Sequence, residues 1–233
     1  MRTFILIALL VVLSAGALMA NDIVTMPTAN LLKAGEIEVG GYYLKMDTPP
    51  GVTGCVKIET LYVGVTNQLE INAYNVNPDG DKQSTLFRIN YKVLSEKACQ
   101  PDVVIGVDNP FKESTTYAKP PYAPLNYASL SEKPSFYLCT AKTFPMTSKG
   151  FAGPLVRVHL SAGTETYDIL DSQRHSGIFG GLQFRITPQW GFVAEYDRRD
   201  LNTSLAYHVP GTQLALKVGT QGNIDWFGFA YTH

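Results

Sequence analysis

Ser84-Thr-Leu-Phe-Arg-Ile-Asn-Tyr-Lys-Val-Leu94 is the stretch whose reading decides the fold. Thr85, Phe87, Ile89, Tyr91 and Val93 alternate with Leu86, Arg88, Asn90 and Lys92. Successive side chains of a strand point to opposite faces, so the segment has one apolar face and one largely polar face. It is as long as the roughly 9–11 residues with which a strand crosses a bilayer, and longer than the roughly 5–6 usual in soluble sheets.

The same alternation recurs outward along the chain. Ile178, Gly180, Leu182, Phe184 and Ile186 oppose Phe179, Gly181, Gln183 and Arg185, and Leu214, Leu216 and Val218 oppose Ala215, Lys217 and Gly219. Twelve such segments are read, at about 36–46, 56–66, 69–77, 84–94, 102–109, 135–144, 154–164, 177–187, 190–198, 202–209, 213–219 and 224–233. Ten strands is the alternative count, because the first two segments alternate poorly. An even number places both ends on the periplasmic rim. The prediction is an all-β, antiparallel up-and-down transmembrane barrel over residues 36–233, with outer-membrane lipid around it. A Lys at Phe184, read as near the bilayer midplane, is expected to cost ~2–4 kcal/mol.

Composition agrees with export to a membrane. Of 233 residues 45% are hydrophobic and only 17% charged, and Lys+Arg 19 against Asp+Glu 20 leaves a net charge of −1. No basic excess points to nucleic acid as a partner. Arg2 followed by FILIALLVVLSAGALMA reads as a signal peptide over residues 1–20, with cleavage after Ala17 or Ala20. Residues 21–35 then read as a periplasmic segment. No later run reaches the ~18 apolar residues of a helical span.

The last segment, Ile224 to His233, places Phe227, Phe229, Tyr231 and His233 on one face. Gly228, Tyr231 and His233 resemble the C-terminal signal read by the barrel-assembly machinery, with His in place of the usual Phe. Three further stretches carry a family resemblance. Met26-Pro-Thr-Ala29 with Gly35, Gly40-Gly41 and Tyr42, the hairpin Arg88–Glu96, Pro101 and Val104–Asp108, and the hairpin Gly180-Gly181, Pro188 and Ala194–Asp197 resemble YjbH-type outer-membrane proteins. That resemblance implies a single-barrel member associated with exopolysaccharide production, with polysaccharide or envelope export proteins as partners. The chain is much shorter than the long members of that family.

Several groups are candidates for chemistry. His159-Leu-Ser161-Ala-Gly163 resembles the His-x-Ser-x-Gly strand of outer-membrane phospholipase A, where a His activates a Ser for acyl transfer. The usual Asn after the Ser is replaced by Ala162, and Gln173 or Glu165 would have to orient the His. Alternation aims His159 and Ser161 at the lumen together with Arg157, away from lipid, so the expectation is no enzyme. Glu195 and Asp197 share a face, as paired glycosidase carboxylates do, with Arg185 diagonal to Glu195 if the Pro188 turn centres on Gln189. The reading preferred is a mixed-charge lumen lined by Arg88, Lys92, Arg157, Arg185, Glu195, Asp197 and Lys217, with Asp108 and Lys142 alongside. Cys55, Cys99 and Cys139 lack metal spacing and are expected to stay unpaired, and neither metal nor cofactor is implied. Tyr117, Tyr122 and Tyr127 stand in a Pro-rich external loop that is a candidate glycan contact. Function reads as a non-enzymatic barrel assisting exopolysaccharide export or surface assembly. A small diffusion porin and a phospholipase-like enzyme are the alternatives.

Overall fold

The computed structural model describes residues 27–46, 54–78, 84–111, 134–145, 155–164, 177–197, 200–222 and 224–233. The expected signal peptide at 1–20, residues 21–26, and Tyr117, Tyr122 and Tyr127 lie outside the described residues.

Among the described residues there are twelve strands. They are β1 Ile37–Met46, β2 Gly54–Gly64, β3 Leu69–Pro78, β4 Ser84–Leu94, β5 Asp102–Asp108, β6 Ser135–Pro145, β7 Leu155–Gly163, β8 Gly177–Arg185, β9 Trp190–Tyr196, β10 Leu201–His208, β11 Leu214–Gln221 and β12 Ile224–Thr232. Each pairs antiparallel with its neighbours in sequence, and β12 returns to β1 from Glu38↔Thr232 to Leu44↔Trp226. Reciprocal backbone bonds between Ile37 and His233, at 2.9 and 2.7 Å, complete that seam. Closure leaves no open edge, which a lipid-exposed sheet requires because hydrocarbon offers no partner to a free N–H or C=O. One rim carries the turns at 65–68, 95–101, 186–189 and 209–213 and is called the turn rim; the opposite one is the loop rim.

Faces follow the period of two. On β7, Arg157, His159 and Ser161 are buried, while Val158 and Leu160 are exposed to the outside at 37% and 55%. Outward-facing Phe87, Ile89, Tyr91, Val156, Leu182, Phe184 and Leu216 belong to the same apolar surface. Aromatic pairs border it on both sides. Trp190–Tyr207 and Phe184–Phe192, at 4.7 and 6.1 Å between ring centroids, lie toward the turn rim. Tyr43–Phe227 and Phe87–Phe111, at 5.1 and 5.4 Å, lie toward the loop rim. An apolar belt between two aromatic girdles is the exterior of a membrane-spanning barrel.

Two expectations are corrected, the depth of Phe184 and the facing of Lys142, and the structure accounts for the poor alternation of the first two strands. Strands β1 and β2 alternate poorly in sequence because polarity inverts near their loop-rim ends. There Tyr42, Leu44, Val56 and Ile58 are buried inside, with Leu86 and Trp226, while Lys45, Lys57 and Glu59 face outward. Phe184 is not at mid-depth: β8 ends at Arg185, so Phe184 lies one residue from the turn rim. Lys142 is not lumenal. It shares the outward parity of Leu138 and Phe144, and its ammonium bonds the Lys97 carbonyl and, at 3.3 Å, the Gln100 carbonyl. Pro27–Leu32 are inside the barrel, with Ala29 and Leu32 only 0% and 1% exposed.

Candidate functional site: the barrel lumen

The inward faces build three clusters from the turn rim upward. At the rim, β7 aims Arg157 at two carboxylates. Its guanidinium donates to Glu96 Oε2 at 2.6 Å, to Asp102 Oδ2 at 2.5 Å and to Thr143 Oγ1 at 2.7 Å. Lys92 Nζ stands 3.5 Å from Asp102, and Lys142 Nζ reaches Glu96 from outside at 3.3 Å. Glu96 belongs to the 95–101 turn, so these bonds fold that turn against the barrel end. Partial burial opposes ionisation of Glu96, but the Thr143 N–H and hydroxyl and the Arg157 guanidinium outweigh it and hold the carboxyl below its ordinary value.

Higher in the lumen, Arg88 forms a bidentate pair with Asp108 through Nε and, at 3.0 Å, Nη2. The guanidinium carbon sits 5.1 Å from the centre of the Tyr74 ring and 5.6 Å from that of Tyr137. Tyr137 lies over Gly106, where any Cβ would come within 2.3 Å of its ring. Its hydroxyl donates to Asn90, whose amide donates to Glu70 Oε1 at 3.0 Å. Next to this chain is an aromatic group, Tyr42 edge-on to Trp226 at 5.9 Å and Tyr62 edge-on to Tyr74 at 5.6 Å. Its signal in the sequence is the run of apolar residues on the inner faces of β1 and β2.

The third cluster lies on β7–β10. His159 Nε2 and Gln183 Oε1 are 2.8 Å apart, and Asn30 Nδ2 donates to the same oxygen at 3.2 Å. Asn202 Nδ2 donates to Glu195 Oε1 at 3.2 Å and to Asp197 Oδ2 at 2.8 Å. Arg185 and Lys217 also project inward. Arg185 is opposite Gly191 and Glu195 opposite Gly181, so the two are not diagonal neighbours as expected. The hairpin axis passes through Pro188 rather than Gln189, because Thr187 Oγ1 accepts the N–H groups of Gln189 and Trp190 and tightens the turn. A shift of two residues leaves every face unchanged.

Chemistry is constrained by these partners. The His159 nitrogen that bonds a side chain bonds Gln183, and His159 makes no hydrogen bond to Ser161. Both side chains are 2% exposed on the inner face, away from any acyl chain at the apolar exterior. The nucleophile–base contact that acyl transfer requires is therefore not made. Gln183, which sequence reasoning passed over, occupies the position beside His159. Among the described residues no group of three His, Cys, Asp or Glu side chains converges as a metal site would. Cys55 starts β2 at the loop rim, Cys99 is exposed in a turn-rim turn, and Cys139 is buried inside β6; all three are free thiols. Gly228 faces inward, where a Cβ would come within 2.4 Å of the Tyr42 ring, and Tyr231 and His233 face outward at the turn rim.

A closed ring of twelve strands among the described residues, with an apolar exterior and a largely polar interior, defines a transmembrane β-barrel of the outer-membrane class. No protein-family model matches the chain, and no curated protein matches it. Among solved structures it is similar to a KdgM porin, with a TM-score of 0.48 and 10% sequence identity, over 84% of this chain and 98% of that one.

Proposed function

We propose that this protein is a non-enzymatic barrel of the bacterial outer membrane whose lumen is a narrow passage for small polar solutes. The observation that carries the reading is the inner wall, where ionisable groups recur from the turn rim to the loop rim on β4–β10, beside an apolar patch on β1 and β2. Arg157, Glu96 and Asp102 stand at one end, Arg88 and Asp108 higher on one side, and Glu195, Asp197 and Asn202 across from them. A barrel interior kept only for packing is better filled by apolar side chains, because buried charges carry a desolvation cost that pairing offsets incompletely. The turn rim is then periplasmic, and Gly228, Tyr231 and His233 present the last strand to the barrel-assembly machinery.

The test is conductance. Purified protein in planar bilayers is expected to give discrete current steps, and proteoliposomes to swell in small sugars. A barrel that recovers in the outer-membrane fraction, migrates heat-modifiably and yet passes neither ions nor sugars would exclude the reading. Ser161→Ala is expected to leave phospholipid turnover by the purified protein unchanged. Hydrolysis lost in that variant would establish the enzyme instead.

Exopolysaccharide export, implied by the YjbH-type resemblance, is the second reading. Its support in the lumen is the aromatic group of Tyr42, Tyr62, Tyr74 and Trp226, since aromatic rings stack on sugar faces. Retention of the purified barrel by the host's own exopolysaccharide, lost in Trp226→Ala, would favour it.

A further inference from the structure

Residues 27–32 enter the lumen at the turn rim and take no part in the sheet. Three bonds from three different strands hold them. Glu70 Oε2 on β3 accepts the Leu32 N–H at 2.8 Å, Gln183 Oε1 on β8 accepts the Asn30 amide at 3.2 Å, and the Cys139 thiol on β6 donates to the Pro27 carbonyl at 3.2 Å. Ala29 and Leu31 rest on Val104, Tyr137, Cys139 and Ala141. The barrel wall is shaped for this segment at Gly64, where a Cβ would lie 1.9 Å from the Lys33 carbonyl oxygen. Only a glycine on β2 lets the backbone pass so close.

Fastening differs between the two parts of the segment. Residues 33–36 are tied to the rim by Gly35 N–H to Gly64 O at 2.8 Å and Ala34 N–H to Asn67 Oδ1 at 3.1 Å. Among them, Gly35 adopts φ +83°, a left-handed turn that suits a glycine. The bonds described above for the inner residues run to side chains of the wall, and none of them is a ladder bond of the barrel. Local openings that spare the ladder cost far less than global unfolding.

We propose that residues 27–32 are a displaceable strap that closes the β3–β8 side of the lumen and covers Cys139. The effect on flux rests on the channel reading above; the placement of the strap does not. Cys139, 0% exposed in the lumen, is a built-in reporter. The experiment uses the full chain with Cys55→Ser and Cys99→Ser, and measures labelling by a cationic, membrane-impermeant methanethiosulfonate alongside bilayer conductance. Asn30→Ala is expected to raise the labelling rate of Cys139 roughly tenfold, the effect of losing about one net hydrogen bond, and Gly64→Val, whose side chain would collide with the Lys33 carbonyl, to raise it independently. Both should also raise conductance. Ala29→Cys, oxidised to a disulfide with Cys139, should hold conductance at its lowest level, and reduction should release it.

Labelling of Cys139 that is equally fast with and without these substitutions would overturn the strap. Labelling that responds while currents do not, in a barrel that conducts, would overturn its closing role and leave the channel reading standing. Labelling that responds in a barrel that never conducts would leave the strap in place and remove the channel reading.

Discussion

Arg157→Ala is expected to destabilise the folded barrel by about 3–5 kcal/mol, the cost of removing one member of a buried ionic cluster. Arg157 and Asp102 have side chains only 7% and 10% exposed, so the carboxylate left behind has little water to turn to. Lys92, 3.5 Å from Asp102, and Lys142, 3.3 Å from Glu96, remain as partners and bring the expectation toward the lower end of that range. Arg157→Lys should recover only part of the loss, since one ammonium cannot reproduce a planar fork aimed at two carboxylates and a hydroxyl. Reversible urea unfolding in detergent or lipid measures both variants. A change below about 1 kcal/mol for Arg157→Ala would show the cluster to be no stronger than an exposed ion pair.

The cluster also sets a direction with pH. The folded Glu96 carboxyl is held below its ordinary value of 4.5, so its contribution is complete above that value and is lost as pH falls through the lower folded one. The gap between the native protein and Arg157→Ala should accordingly narrow on acidification through that window.

Leu160→Lys is expected to cost about 2–4 kcal/mol, whereas Phe184→Lys should cost about 0–1 kcal/mol from depth alone. Leu160 stands in the middle of β7 on the outer face and is 55% exposed, so a lysine there meets the centre of the hydrocarbon. Phe184 is one residue from the end of β8, where a lysine stem reaches the interface. Its ring contact with Phe192, at 6.1 Å between centroids, adds a further small loss. The same unfolding measurement separates the two. Equal costs would contradict the depth assigned to β8, and a negligible cost at Leu160 would contradict its lipid exposure.

Much of the architecture is legible in single segments. On β4 the alternation of Phe87, Ile89 and Tyr91 with Arg88, Asn90 and Lys92 carries both the strand and its two environments, because the pleat repeats every two residues. Strand number and the approximate bounds follow from the turns between such segments. The inward parity of Arg157, His159 and Glu195 is readable in the same way. Lys142 also obeys parity: it falls on the face of Leu138 and Phe144, and its rim position explains a charge there.

What only the tertiary structure decided is which inward residues meet. Arg157 and Glu96 are 61 positions apart, and Tyr137 and Asn90 are 47 apart. The stagger of twelve strands brings them together, and no segment contains that stagger. The two-residue placement of the Pro188 turn decided whether Arg185 lies diagonal to Glu195, and a hydroxyl at Thr187 tipped it. Pro27–Leu32 show the limit most plainly. The segment is short, lacks any period and pairs with no strand, so its sequence carries no sign of where it lies. Its position comes from a glycine on β2, a carboxylate on β3, a thiol on β6 and an amide on β8, which converge only once the barrel has closed.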